Sequence, residues 1–431
     1  MQVRSASTAK CTTFPTSTRR STSLLCTRPM SMADAREGAN RDRYELVERS
    51  LFLPEHDAFR ETVRRFVEKE LVPQHGQWEK EGVVPREVWA KAADLGMLCP
   101  SIPPEYGGLG ADWLYDVVVI EEITRGNVTG PGFMVHSEMV APYILAWGSE
   151  ALKREWLPRM VLGEAIGALG MTEPGAGSDA KNIRTRAIRD GSEYVINGQK
   201  TYISNGQHAD IIVLACKTDP GEGAKGVSLI AVDARSPGVE RGRNLEKIGL
   251  KAQDTSELFF NDVRVPADNL LGSEGQGFSM LMTKLAQERL CIAIKSIAAC
   301  EAILSWTVDY TPERKLFGQS VADFQNTQFV LAQLAAEISA GRILVDWGIK
   351  HFLDGRLSSV DAAKMKLLMT NLNGKVVDEC LQFFGGYGYM CEYPVSQAYV
   401  DARITRIAGG SNEVMKQIIA RDLFRGKIGR D

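Results

Sequence analysis

Glu288 is the side chain whose type and setting best suit acid–base chemistry in this sequence. Leu281, Leu285, Glu288 and Ile292 fall at i, i+4, i+7 and i+11, which puts them on one face of a helix. A glutamate in such a stripe is either paired with a cation at its edge or truly buried. If buried, its pKa rises from ~4.3 toward neutrality, which is how a general base is tuned. A second candidate is the loop Met171-Thr-Glu-Pro-Gly-Ala-Gly-Ser-Asp179, where glycines let backbone N–H groups approach a ligand and Thr172 and Ser178 add hydroxyls. It reads equally well as a tight loop entering a strand. It is not a G-x-G-x-x-G fingerprint, which disfavours a Rossmann dinucleotide site there. The third candidate is a pair of Gly-Gly segments, Gln382-Phe-Phe-Gly-Gly386 and Ile407-Ala-Gly-Gly-Ser-Asn-Glu413. Either could simply terminate a helix, and Ser411 is a natural N-cap for a last one.

These residues need elements to hold them. Residues 48–165 carry helical patterns, with Phe59, Val63, Phe66 and Val67 forming one stripe and further helices over Trp113–Thr124 and Met134–Trp147. The pattern changes over residues 166–275. Short β-prone runs (Tyr194–Ile196, Thr201–Ile203, Ile211–Leu214, Val227–Val232, Leu258–Phe260) lie among Asp-Gly at 190–191 and Asn-Gly at 197–198 and 205–206. Asn-Gly and Asp-Gly turns between short strands predict antiparallel β structure. Residues 276–431 return to long helical segments at 278–310, 324–353, 358–384 and 411–424, which predict a bundle. The expected class is α+β, mostly α, with a helical, a β and a second helical domain.

Bulk properties exclude several functions. At 431 residues the chain has room for about two or three domains. Apolar runs such as 210–216 and 226–232 are far shorter than the ~20 residues of a membrane span, so no transmembrane segment is expected. Residues 1–33 hold five basic side chains and no acidic one among many Ser and Thr, so residues 1–40 read as an organellar transit peptide. Without those five charges, 46 basic residues face 54 acidic ones, a balance that argues against nucleic acid as a partner. The eight cysteines form no C-x-x-C pair and the five histidines show no ligand spacing, so no metal site is expected and the thiols read as reduced.

Six segments taken together carry more information than any one. MTEPGAGSD (171–179), GQKTYISNG (198–206), GLKAQDTSELFFNDVRVP (249–266), RKLFGQ (314–319), QFFGGYGYM (382–390) and EYPVSQAYVDARI (392–404) resemble the acyl-CoA dehydrogenase family, in order and from about residue 48 to the C-terminus. The resemblance implies a helical domain, a β domain and a helical bundle, assembled as a homotetramer with FAD between the last two. It implies flavin contacts from Leu169, Gly170, Met171, Thr172, Gly177 and Ser178 and from Tyr202, Ile203 and Ser204. Arg314, Gln325, Gln382, Phe383, Phe384, Gly385 and Gly386 look like residues that reach the FAD of a neighbouring subunit, with Ser411, Asn412 and Glu413 closing over the cofactor.

One departure is informative. Many family members carry the catalytic base just before the last helix, in a Tyr-Glu-Gly context that here matches Gly409. Long-chain and isovaleryl-type members instead take the base from the helix that carries Gln287-Glu288-Arg289, so the resemblance selects the carboxylate already singled out by periodicity. Gly409 can still offer a backbone N–H to the thioester oxygen. Long-chain members look closest, on AQERL (286–290), YVDARI (399–404) and GGSNEVMKQIIARD (409–422), and Gly130-Pro-Gly-Phe133 has small residues able to widen an acyl tunnel. Ser178, Ser279, Ala286, Gln287, Arg289, Gly409 and Gly410 are the expected substrate contacts beside Glu288. The implied reaction is α,β-dehydrogenation of a fatty acyl-CoA in β-oxidation, in the mitochondrial matrix, with electrons passing to electron-transfer flavoprotein. The rivals are a branched short-chain dehydrogenase, an acyl-CoA oxidase and a non-catalytic assembly protein on the same fold.

Overall fold

A computed structural model describes residues 46–425. The expected transit peptide, Cys11, Cys26 and the last six residues lie outside this range. The chain opens with helices α1 (Pro54–Phe66), α2 (Val72–Glu81), α3 (Arg86–Asp94), α4 (Leu114–Arg125), α5 (Phe133–Met139), α6 (Ala141–Trp147) and α7 (Glu150–Val161). Helix α1 starts on Pro54, with Glu55 and Asp57 in its first turn and Arg64 and Arg65 in its last, as the helix dipole favours. The single helix read over Met134–Trp147 is in fact two, because the chain turns at Val140, ahead of Pro142.

Eight strands follow: β1 (Gly167–Gly170), β2 (Arg186–Asp190), β3 (Glu193–Ser204), β4 (Ile211–Lys217), β5 (Val227–Asp233), β6 (Val239–Asn244), β7 (Thr255–Pro266) and β8 (Leu270–Leu271). They form one sheet in the order β6-β7-β3-β2-β4-β5-β8, with β1 also on β4. Pairing is mainly antiparallel, but β1 and β2 both run parallel to β4. The two runs read on either side of Asn197-Gly198 are one strand. That Asn-Gly sits at a register shift of the β3–β7 pair, a bulge and not a turn. Strand β4 is buried on both faces. Ile211, Val213 and Ala215 pack toward α5–α7, while Ile212, Leu214 and Cys216 pack into the opposite side of the sheet, which explains its uninterrupted apolar sequence.

The last part is helical: α8 (Gly277–Tyr310), α9 (Gln325–Leu353), α10 (Ser359–Phe384), α11 (Pro394–Ala402) and α12 (Asn412–Leu423). Helices α8 and α9 are each long and apolar enough to span a membrane, a property the shorter apolar runs did not reveal. In α8 the apolar window is 83% buried inside the bundle, whereas in α9 it is only 28% buried. Helix α8 is thus the axis of the fold. It packs with α9, α10 and α11, and it shares a core with Trp113, Leu114, Val117 and Ile120 on or beside α4.

Ions bind these layers as well. Glu121 on α4 is completely buried and accepts from Arg49 (2.9 Å), Arg60 on α1 (2.8 Å) and Arg342 on α9 (2.8 Å). Arg342 forks onto Glu301 of α8 at 2.7 and 2.8 Å, Arg125 joins Glu301 to Glu122, and Arg49 forks onto Asp346. Burial alone would raise the Glu121 carboxyl, but the charges of Arg49, Arg342 and Arg60 outweigh it and hold the group well below the carboxylate range.

Candidate functional site

Helix α8 carries Glu288 into a cavity of about 220 Å³ walled by α4, the 131–139 segment, Ser204 at the end of β3, and the Ile404–Gly409 stretch before α12. Glu288 is only 3% exposed. Burial is the main force on its carboxyl and pushes it up to about 7, restrained by a hydrogen bond from Tyr143 and by the charges of Arg289 and Lys284. The Tyr143 hydroxyl, on α6, donates to Oε1 at 3.1 Å, and Oε2 takes no hydrogen bond from any described residue. The site therefore holds a poised carboxylate with one oxygen tethered and the other facing an apolar space.

The tether has a measurable consequence. Tyr143 stabilises the ionised form, so Tyr143→Phe should raise the Glu288 pKa further and leave less base ionised at neutral pH. A pH profile of substrate-driven reduction should show its rising limb displaced upward, with a several-fold loss at pH 7. An unmoved limb would show that the hydroxyl does not sense the charge of Glu288.

Gly409 lines the same cavity as Glu288, and it and Gly410 have φ of +64° and +86°. A Cβ at Gly409 would lie 2.4 Å from Ile292 Cδ1, so a base projected from that position would have to displace Ile292 and accept strained backbone. The glycine pair is clamped from behind. Arg289 Nε donates to Gly409 O at 3.5 Å, and Lys366 Nζ donates to Gly410 O and Asn412 Oδ1 at 2.9 Å each. Two further buried acids, Asp116 and Glu138, form part of the cavity wall. Glu138 accepts from Trp113 and Gln287 at 2.7 and 2.9 Å, and burial together with the Glu138 charge drives the Asp116 carboxyl well up.

The expected flavin segments also converge. Thr201 N donates to Thr172 O at 2.9 Å, which joins the end of β1 (Leu169, Gly170) and Met171-Thr172 to the end of β3 (Tyr202, Ile203, Ser204). Beneath them Lys200 and Glu173 form a buried ion pair of 2.8 Å, with Lys200 also donating to Met171 O, and this pins the glycine loop. Gly175 and Gly177 have open space where a Cβ would stand, and the Gly177 and Ser178 N–H groups donate to no described residue. Tyr202 lies 69% exposed, whereas the Ile203 side chain is buried in the sheet. Free backbone donors, hydroxyls and an open aromatic face fit a large planar cofactor bearing phosphates.

The other expected residues divide. Arg314 donates to Phe383 O, and Phe384 stacks on Tyr310 at 4.2 Å, which gathers Arg314 with Gln382–Gly386; Gln325 opens α9 nearby in sequence and is exposed. Ser411 caps α12 through Val414 N, Glu413 is exposed, and Asn412 is turned inward onto Thr370 and Asn371. Gln287 points to Glu138 rather than into the cavity, Ala286 is half-buried beside it, and Ser279 lies exposed with its hydroxyl on Gln276 O. Of the Gly130–Phe133 segment read as able to widen an acyl tunnel, Pro131, Gly132 and Phe133 line the cavity. A Cβ at Gly130 would meet Ala252 at 2.7 Å, and one at Gly132 would meet Asn205 Oδ1 at 1.8 Å, so these glycines permit close packing. Tyr143, Glu138 and Lys366 were missed, since each meets the site only through tertiary packing, whereas Lys295, seven residues beyond Glu288 on the same helix, continues the stripe that picked out Glu288.

Comparison with known proteins decides the family. The acyl-CoA dehydrogenase N-terminal, middle and C-terminal domain models match residues 53–164, 168–263 and 275–424. The chain belongs to the acyl-CoA dehydrogenase family. Over 381 residues it is 45% identical to the long-chain specific acyl-CoA dehydrogenase, mitochondrial, of Sus scrofa, covering 88% of this chain and 89% of that one. An acyl-CoA dehydrogenase structure from Geobacillus kaustophilus is 48% identical, with a TM-score of 0.86 over 87% of this chain and 100% of that one. A glutaryl-CoA dehydrogenase from Mycobacterium smegmatis in complex with FADH2 is 29% identical, with a TM-score of 0.81 over 91% of this chain and 98% of that one. As an acyl-CoA dehydrogenase, the protein is a flavoprotein oxidoreductase acting on fatty acyl-CoA.

Proposed function

We propose that this acyl-CoA dehydrogenase prefers long-chain substrates and uses Glu288 as the base that removes the α-proton. The supporting observation is the carboxylate itself, buried in an apolar cavity with its pKa moved to about 7 and its Oε2 uncommitted among the described residues. Oε2 takes the proton, and Tyr143 holds the carboxylate in place. The Gly409 N–H, in a loop clamped by Arg289 and Lys366, is the donor for the thioester oxygen as enolate charge develops. Bound FAD would supply the acceptor for the β-hydride. The flavin would lie against Leu169–Ser178 and Tyr202–Ser204, with Arg314, Gln325 and Gln382–Gly386 serving a neighbouring subunit.

A homotetramer suits the surface of α9, where Phe329, Ile343 and Trp347 are exposed and need a second copy to leave water. Long-chain preference draws on the 45% identical relative of that name, whose name also carries the mitochondrial location. The mitochondrial matrix and electron-transfer flavoprotein complete the reading. Anaerobic flavin reduction by a series running from isovaleryl-CoA through octanoyl- to palmitoyl-CoA tests it. The expected maximum in kcat/KM lies at the long-chain end, and a maximum with isovaleryl-CoA overturns the preference.

A further inference from the structure

The Glu288 cavity continues along the same face of α8. Ile292 and Lys295 follow at four and seven residues and both line it, which places the lysine ~10 Å beyond Glu288 along the helix axis. A second cavity of about 30 Å³, room for a water or two, shares Thr124, Thr129, Lys295 and Thr405 with the first. Lys295 thus stands where the two meet.

Its neighbours are committed elsewhere. The Thr124 hydroxyl donates to Ile120 O and the Thr405 hydroxyl to Ala402 O, each at 2.7 Å. Thr129 donates to Asp401 at 2.7 Å, and Asp401 also accepts from Leu250 N. Burial lowers the pKa of Lys295 and the charge of Asp401 works against it, yet the two form no hydrogen bond or ion pair within 4 Å, and Lys295 has none with any described residue. A desolvated ammonium with three free donors is costly beside plain methylenes, because the passing chain strips its water and returns nothing. A carboxylate would repay that cost, and burial already holds the Asp401 carboxyl above its ordinary range, which eases a proton onto it as a second acid approaches.

We propose that Lys295 adapts this tunnel to acyl-CoA thioesters whose far end carries a carboxylate, pairing with that end while Glu288 addresses the α-carbon. The proposal rests on the dehydrogenase reading for the role of Glu288. The holoenzyme and its Lys295→Met and Lys295→Arg variants would be titrated with lauroyl-CoA and with ω-carboxyacyl-CoA thioesters from adipyl to dodecanedioyl, reading both dissociation constants and anaerobic flavin reduction. The methionine variant should lose at least about ten-fold in affinity and in kcat/KM for the best ω-carboxyl substrate, ~1.4 kcal/mol, with lauroyl-CoA unchanged or improved. The arginine variant should keep the preference. Equal ratios in wild type and Lys295→Met would overturn the proposal and leave Lys295 as one half of a water-bridged pair with Asp401. Because binding is read separately, absent flavin reduction with selective binding would count against the dehydrogenase reading and not against the lysine.

Discussion

Glu288→Gln should yield a yellow protein whose flavin stays oxidised when acyl-CoA is added without oxygen. The amide keeps the size of the side chain and can still take the Tyr143 hydrogen bond, so folding and cofactor content should be unchanged. It cannot accept a proton at the α-carbon. General-base assistance is typically worth ~10²–10⁴ in rate, and a loss at the upper end is expected because the other two carboxylates lining the cavity, Asp116 and Glu138, come from different elements, α4 and α5. Glu138 already accepts from Trp113 and Gln287, and burial beside the Glu138 charge drives the Asp116 carboxyl well up. The wild-type rate should climb as pH rises through about 7, where Glu288 ionises, and that limb should vanish in the variant. Flavin bleaching near the wild-type rate would move the base elsewhere.

The largest expected stability effect lies at Glu121, far from the chemistry. Glu121→Gln leaves Arg49, Arg60 and Arg342 converging on a neutral group inside the protein. Breaking a buried pair in this way typically costs ~3–5 kcal/mol. Thermal unfolding should shift down by several degrees, while Glu70→Gln, in the exposed pair with Lys91, should cost ~0–1 kcal/mol. The sign of the acid response follows from the same charges. Glu121, Glu301 and Glu122 all titrate below their ordinary range, Glu122 at about 2. Their contribution is complete above the unfolded value of ~4.3 and drains away as pH falls from there toward about 2. Glu121→Gln should flatten acid unfolding in that window. A variant as stable as wild type would mean that the arginines find other partners.

What the sequence made legible follows from the range of each interaction. Helices α8, α9 and α10 could be read to within a residue or two because their apolar periodicity runs for many turns. The strands were harder. Asn197-Gly198 carries the local signal of a hairpin, yet pairing with β7 absorbs it as a bulge. Glu288 stood out because its apolar neighbours lie on its own helix. Its partner Tyr143 is 145 residues away and carries no local mark. The arginine–carboxylate network was invisible for the opposite reason. Arg60 and Glu122 read like any solvated helix charge until α1, α4, α8 and α9 are brought together.

Glu288 sits on α8, but what keeps water from it and steadies it comes largely from α4, α5 and α6, near the other end of the chain. Its acidity is therefore a gauge of interlayer docking. A fragment limited to the last five helices would retain the glutamate yet titrate like an ordinary one in solvent. Any ligand or partner that loosens the early helices would quiet the enzyme without touching a reacting atom.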